Sequence, residues 1–231
     1  MRVEPYGIDS YMHVVKRGAR GMPITRGEND AKRFRRLLYY LNDEYQSEFW
    51  ETGVCRSDTL IRPSSWPERK PLVKIYAWTL MPNHFHLLLQ EIKDSGTSQF
   101  MQRLCGSMSR HFNEKYQEQG SIFQGPFKSR TINTDRYMRW ALSYVMVKNV
   151  FELYPGGLEK AIKEFERAWK WATKYPYSSF PDYVTGKPLP IIDESTLCDF
   201  FTSPDDFKTL SRDMVLSRLK QISSIQEVTF E

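Results

Sequence analysis

Cysteine is scarce in this chain of 231 residues: Cys55, Cys105 and Cys198 are far apart, odd in number and include no Cys-x-x-Cys pair. That pattern argues against a disulfide framework or a zinc knuckle and for a reducing cytosol. Long hydrophobic runs are missing as well. No apolar stretch approaches the roughly 20 residues needed to span a bilayer, and the opening "MRVEPYGIDS" has no hydrophobic signal core. The expectation is a cytoplasmic protein with no membrane segment. Internal repeats and low-complexity tracts are also absent. Histidine is rare, with four residues in all, yet His84 and His86 stand one residue apart.

What is present is ordinary for a globular protein, with 40% hydrophobic and 26% charged residues, so the length predicts one large domain or a domain with an extension. The net charge is +5, which favours a polyanionic partner without establishing one. Basic residues cluster in "KRGAR", Lys16 to Arg20, and in "AKRFRR", Ala31 to Arg36. The second cluster reads equally well as a solvated helix face.

The patterning predicts the order β, α, β-hairpin, α, β, α, an α+β fold with a central antiparallel sheet and helices on one side. Tyr11–Val15 alternates as a strand. A helix follows with Asn29 or Asp30 as its N-cap and Phe34, Leu37, Leu38 and Leu41 on one stripe. Residues 48–70, with several prolines, read as a loop insertion. "LVKIYAWTL" and "HFHLLLQEI" form a hairpin about "MPN". Phe100, Leu104, Met108 and Phe112 mark a second helix; Thr134 or Asp135 caps a third that continues to the Pro155-Gly156-Gly157 break. A boundary near 155/156 separates this domain from a mainly helical C-terminal extension, 156–231.

On a strand, His84 and His86 point one way while Phe85, Leu87 and Leu89 point the other. The two imidazoles suit a metal ion, or equally form a polar pair on an exposed strand face. A tyrosine on the third helix supplies a second element. An enzyme that cuts a phosphodiester without hydrolysing it needs an oxygen nucleophile and a cation to orient the phosphate.

"YMHVVKRGARGMPI", "YAWTLMPNHFHLLL", "GSIFQGPFKSR" and "DRYMRWALSYVMVKNV" together resemble the HUH single-tyrosine transposases, specifically the REP-associated tyrosine transposase branch. The likeness runs strongly from Tyr11 to about Val150 and more weakly to about Asp213. It implies an HUH-type fold, and an enzyme that binds hairpins of single-stranded DNA. A tyrosine attacks a phosphorus, leaving a 5′-phosphotyrosine and a free 3′-OH. The resemblance makes Tyr144 the nucleophile, with Tyr137, one heptad earlier, as the rival. His84 and His86 become the ligands of Mg²⁺ or Mn²⁺, and His13 a residue backing the site. Lys16, Arg17, Arg20, Arg33, Arg36, Lys128 and Arg130, with Gln124 between them, are candidate phosphate or DNA contacts, and Trp66 a stacking residue for unpaired bases. His111 reads as a surface residue. Such enzymes often pair, so the resemblance admits a homodimer, and DNA as the partner implies association with the nucleoid.

One position departs from the family pattern. Relatives carry Asn, Gln or His four residues after the tyrosine to complete the metal site; here Lys148 stands there, with Asn149 next to it. A protonated lysine cannot ligate a cation. Asn149 is therefore the candidate third ligand, Lys148 a candidate phosphate contact, and a hairpin-binding protein with little or no cleavage is the alternative reading. A metal-dependent hydrolase unrelated to DNA fits the histidines but leaves the basic loops and Tyr144 unexplained.

Overall fold

An alternating strand and two almost continuously buried ones build most of the sheet, and two glycine-flanked amphipathic segments cover it. The computed structural model describes residues 6–46, 60–193 and 199–228. Cys55, Cys198 and residues 48–59 of the expected insertion lie outside them; residues 60–70 of that insertion have no helix or strand. The elements are β1 (Tyr11–Arg17), α1 (Glu28–Tyr40), β2 (Val73–Met81), β3 (His84–Glu91), α2 (Gly96–Tyr116), β4 (Lys128–Ile132) and α3 (Asp135–Ser143). A π-helical segment (Tyr144–Lys148) then leads into α4 (Asn149–Glu152), α5 (Gly157–Lys163), α6 (Phe165–Ala172), α7 (Phe180–Thr185) and α8 (Pro204–Val228). The four strands run in the order β2-β3-β1-β4, and β1 pairs antiparallel with both β3 and β4. The expected α+β architecture is found, with helical structure following the sheet.

By packing, the chain divides into two compact units. The first holds residues 1–76, 80–132 and 189–193; the second holds 77–79, 133–188 and 194–231. The 155/156 boundary expected from the sequence falls inside the second unit.

In the first unit, Met12, Val14, Phe85, Leu87 and Leu89 are wholly buried. Phe34 of α1 meets Phe85 with ring centroids 4.9 Å apart. At roughly 25 cal/mol per Å² of buried apolar surface, this layer is the main stabilising contribution. α1 starts one turn earlier than a cap at Asn29 or Asp30 would allow: Gly27 is its N-cap, and Asp30 lies inside the first turn. Asp30 is fully buried because it has tertiary partners. Lys115 (2.6 Å), Tyr116 (2.7 Å) and His111 (3.1 Å) of α2 reach its carboxylate, as does the Arg26 backbone N–H (2.9 Å). His111 is thus a helix-to-helix contact rather than the surface residue expected. Burial alone would raise the Asp30 carboxyl, but the hydrogen bonds from Lys115, Tyr116, the Arg26 N–H and His111 outweigh it and hold it well below the usual carboxylate range.

In the second unit, Thr134 caps α3 as expected, its hydroxyl accepting from the Tyr137 N–H at 3.2 Å. The Ser143 and Ser211 hydroxyls meet at 3.0 Å between α3 and α8, and Arg139 pairs with Asp206 at 2.6 Å. Phe165, Trp169, Phe180 and Phe207 form an aromatic cluster beneath α6 to α8. Among the described residues, no helix is long and apolar enough to cross a membrane.

Candidate active site

Register decides which side chains meet. Val15 lies opposite His86 and Lys128, His13 opposite Leu88 and Arg130, and Arg17 opposite His84. Paired residues share a face, as do residues two apart. One face of the sheet therefore carries His13, Arg17, His84, His86, Lys128 and Arg130, opposite the face that packs on Phe34.

The imidazoles are individually oriented. His84 Nδ1 lies 2.6 Å from the Asn83 side-chain oxygen, which can only accept, so Nδ1 carries the proton. His86 Nδ1 lies 2.8 Å from His13 Nε2, and those two rings stack with centroids 5.0 Å apart. Burial lowers the His13 imidazole to about 4, so it is neutral at physiological pH and can accept from His86. Nδ1 is thus engaged on both, and hydrogen bonds of this kind are what fix the orientation of metal-binding histidines. The His84 and His86 rings lie 5.0 Å apart; His86 is 4% exposed and His84 half-buried, so the pair is more enclosed than the basic residues that share its face. Among the described residues no cluster of three or more His, Cys, Asp or Glu is arranged to hold a metal ion.

Asn83 was missed in the sequence, although it sits immediately before the pair. Besides orienting His84, its amide donates to the Gly21 carbonyl at 3.3 Å. The loop after β1 is fastened to the same hairpin: Gly18 N–H donates to Asn83 O (2.7 Å) and Ile24 N–H to Pro82 O (2.8 Å). Only glycine fits at Gly18, since a Cβ there would stand 2.1 Å from the Met22 carbonyl oxygen. Gln124 N–H donates to Arg17 O, and Ala19 N–H to Ile122 O, so a third loop joins the other two.

The basic candidates separate. Arg17, Arg20, Lys128 and Arg130 are exposed, as is Gln124, and a cavity of about 280 Å³ is lined by Arg17, Gln124, Phe127 and Lys128. Lys16 does not join them. It faces the core side, is 7% exposed, gives its ammonium to the Gln124 and Gly125 carbonyls, and lies over the Phe123 ring. Arg33 is also 7% exposed and donates to Ser107 of α2 at 3.0 Å, so it is packed between helices rather than open to a phosphate. Arg36 is half-buried on the same helix. Trp66 packs against Tyr45 (5.4 Å) and Tyr40 (6.1 Å) under the Arg62 guanidinium, so its ring is engaged with the end of α1 and the residues after it.

Tyr144 sits in the second unit where the helix changes pitch. The Asn149 N–H bonds to the Tyr144 carbonyl, five residues back, and the Thr79 hydroxyl donates to the Val145 carbonyl. An inserted side chain of this kind accompanies a π-turn, a feature common at functional sites. The Tyr144 ring stacks on Trp140, with centroids 5.0 Å apart and planes 20° from parallel. Lys148 Nζ lies 3.5 Å from the Tyr144 hydroxyl, 4.8 Å from the ring centroid and 2.6 Å from Glu152 Oε1. Tyr137, the rival, packs against Trp140 at 6.0 Å. Asn149 is wholly buried, and among the described residues neither its amide nitrogen nor its oxygen has a hydrogen-bond partner.

Comparison with known proteins gives two matches. A family model described as "Transposase IS200 like" matches residues 68–148, a stretch that holds His84, His86 and Tyr144 and ends at Lys148. Among solved structures, one titled as the REP-associated tyrosine transposase bound to a REP hairpin aligns at TM-score 0.43 and 15% identity, covering 81% of this chain and 87% of that one. Among curated proteins no significant match is found.

Proposed function

We propose, from the match of residues 68–148 to the model described as IS200-like transposase, that the chain cuts and rejoins hairpin-forming single-stranded DNA through Tyr144. The observation that carries this reading is the Tyr144 hydroxyl, held by a stacked indole with an ammonium beside it. Tyr144 attacks the scissile phosphorus, its Oη–P bond forms as the P–O3′ bond breaks, and the strand is left as a 5′-phosphotyrosine with a free 3′-OH. The energy kept in that bond permits rejoining. The REP-associated branch is the finer assignment we favour, and with it come a nucleoid location and a homodimer as further proposals.

The donor set at His84 and His86 fits a divalent ion, since each imidazole is oriented through Nδ1. Imidazole suits Mn²⁺ or a neighbouring transition metal better than Mg²⁺, which prefers oxygen. Such an ion would supply charge neutralisation at the scissile phosphate. Arg17, Arg20, Lys128 and Arg130 hold backbone phosphates, and Gln124 lines the cavity beside them. Lys16 acts indirectly, by bracing the Gln124 loop.

A second reading, hairpin binding without cleavage, is favoured by one feature: Lys148 stands where a ligand is expected, while Asn149 is enclosed. Incubating the protein with labelled hairpin DNA and Mn²⁺ or Mg²⁺, then denaturing, separates the two. The transposase reading expects a denaturation-resistant protein–DNA adduct that falls below about a thousandth of wild type in Tyr144→Phe. Salt-sensitive binding with no adduct under any metal supports the second reading, and an adduct unchanged in Tyr144→Phe removes Tyr144 as nucleophile.

A further inference from the structure

We propose that Trp140, Lys148 and Glu152 form a clamp that presets the Tyr144 hydroxyl for attack, with Lys148 as the group touching the nucleophilic oxygen and Trp140 and Glu152 as positioning residues. The inference rests on Tyr144 being the nucleophile. It adds two residues, Trp140 and Glu152, that the sequence pattern does not single out, and it gives the lysine a role in place of the ligand expected at its position.

The geometry is specific. The Tyr144 ring lies nearly parallel to the Trp140 indole, which fixes the direction of the Cζ–Oη bond. The Lys148 ammonium reaches both the ring, at 4.8 Å from its centroid, and the hydroxyl, at 3.5 Å. A lysine side chain has four rotatable bonds, so unaided it would sample many positions. Glu152 removes that freedom, holding Nζ at 2.6 Å from one turn further on. The π-turn makes the arrangement local, because the change of pitch leaves Lys148 half-buried beside Tyr144 while Asn149 is wholly enclosed.

The chemistry follows from charge. As Oη bonds to phosphorus, the phenolic proton passes to water and the 3′-oxygen leaves with the bonding pair, taking a proton from solvent. A fixed cation beside Oη favours the charged phenolate on the way to that transition state, and in rejoining it favours the same oxygen as leaving group. In this step Lys148 stabilises charge, and water takes the proton.

The test uses the full chain with a labelled hairpin at saturating concentration and measures the single-turnover rate of adduct formation beside hairpin affinity. Lys148→Met is expected to slow the adduct step about a hundredfold with affinity within about twofold, and Lys148→Arg to recover most of the rate. Glu152→Gln is expected to slow it about tenfold and Trp140→Leu by a similar factor, each with an unchanged thermal midpoint. Wild-type rates in Lys148→Met and Glu152→Gln, with the adduct still dependent on Tyr144, overturn the clamp alone. So does a Lys148→Met defect seen only as weaker hairpin binding, which would make the lysine a phosphate contact. An adduct that survives in Tyr144→Phe overturns the clamp together with the nucleophile.

Discussion

The histidine strand of the first unit and the tyrosine helix of the second are built on opposite principles. His84 and His86 sit on a regular strand, where a two-residue period and a fixed register put them on one face with His13. Nothing there is irregular except the tight Pro82-Asn83 turn, whose asparagine orients the first imidazole. Tyr144 sits at a break in regularity. The π-turn, the Thr79 hydroxyl on a helix carbonyl and the enclosed Asn149 all occur within a few residues of it. Regular structure presents a pair of identical imidazoles on one face; which side chain stands beside Tyr144 one turn later is set by a local change of pitch.

The largest expected effect that would break this contrast is on the strand. His84→Ala or His86→Ala should each reduce metal-supported adduct formation about a hundredfold in the hairpin assay, whereas Asn83→Ala, acting through His84, should cost about tenfold. Equal losses from all three would mean that the strand face serves shape rather than ligation.

Next comes a stability effect. Asp30→Ala removes the buried acceptor that joins α1 to α2 and should lower unfolding free energy by about 3 kcal/mol in a urea titration at pH 7. Because the folded carboxyl is held below its ordinary 3.8, its contribution is present above that value and is lost as pH falls below it. Wild type should therefore lose stability more steeply than Asp30→Ala on acidification below about pH 4, and parallel curves would contradict the assignment.

The smallest effect separates neighbours on β1. Arg17→Ala should weaken hairpin binding modestly and reduce the salt slope by about one, with little change in stability. Lys16→Met should disturb the Gln124 loop and leave the salt slope near wild type. The reverse result would place Lys16, not Arg17, on the DNA.

Much of the fold was legible because it follows local rules. Two β-rich runs about a turn marked the hairpin, Thr134 capped its helix, and Phe34, Phe100 and Leu104 were assigned to core stripes and are buried. The shared face of His84 and His86 follows from the two-residue period of a strand. Other features depend on partners distant in sequence. "KRG" looks like one basic cluster, yet alternate residues of a strand face opposite ways, so Lys16 and Arg17 separate. Arg33 looks like a solvated or DNA-facing charge, yet α2 covers it. Asp30 looks like a cap, yet Lys115 and Tyr116, more than eighty positions away, claim its carboxylate. The pitch change at Tyr144 has no signature in its own five residues, because the Thr79 hydroxyl that accompanies it comes from β2.

The most direct measurement is to isolate the adduct formed on hairpin DNA, digest both components and locate the nucleotide by mass spectrometry. The account predicts a single 5′-phosphonucleotide on the peptide containing Tyr144. A nucleotide on Tyr137 or any other residue, or no covalent product with any divalent metal, would contradict it.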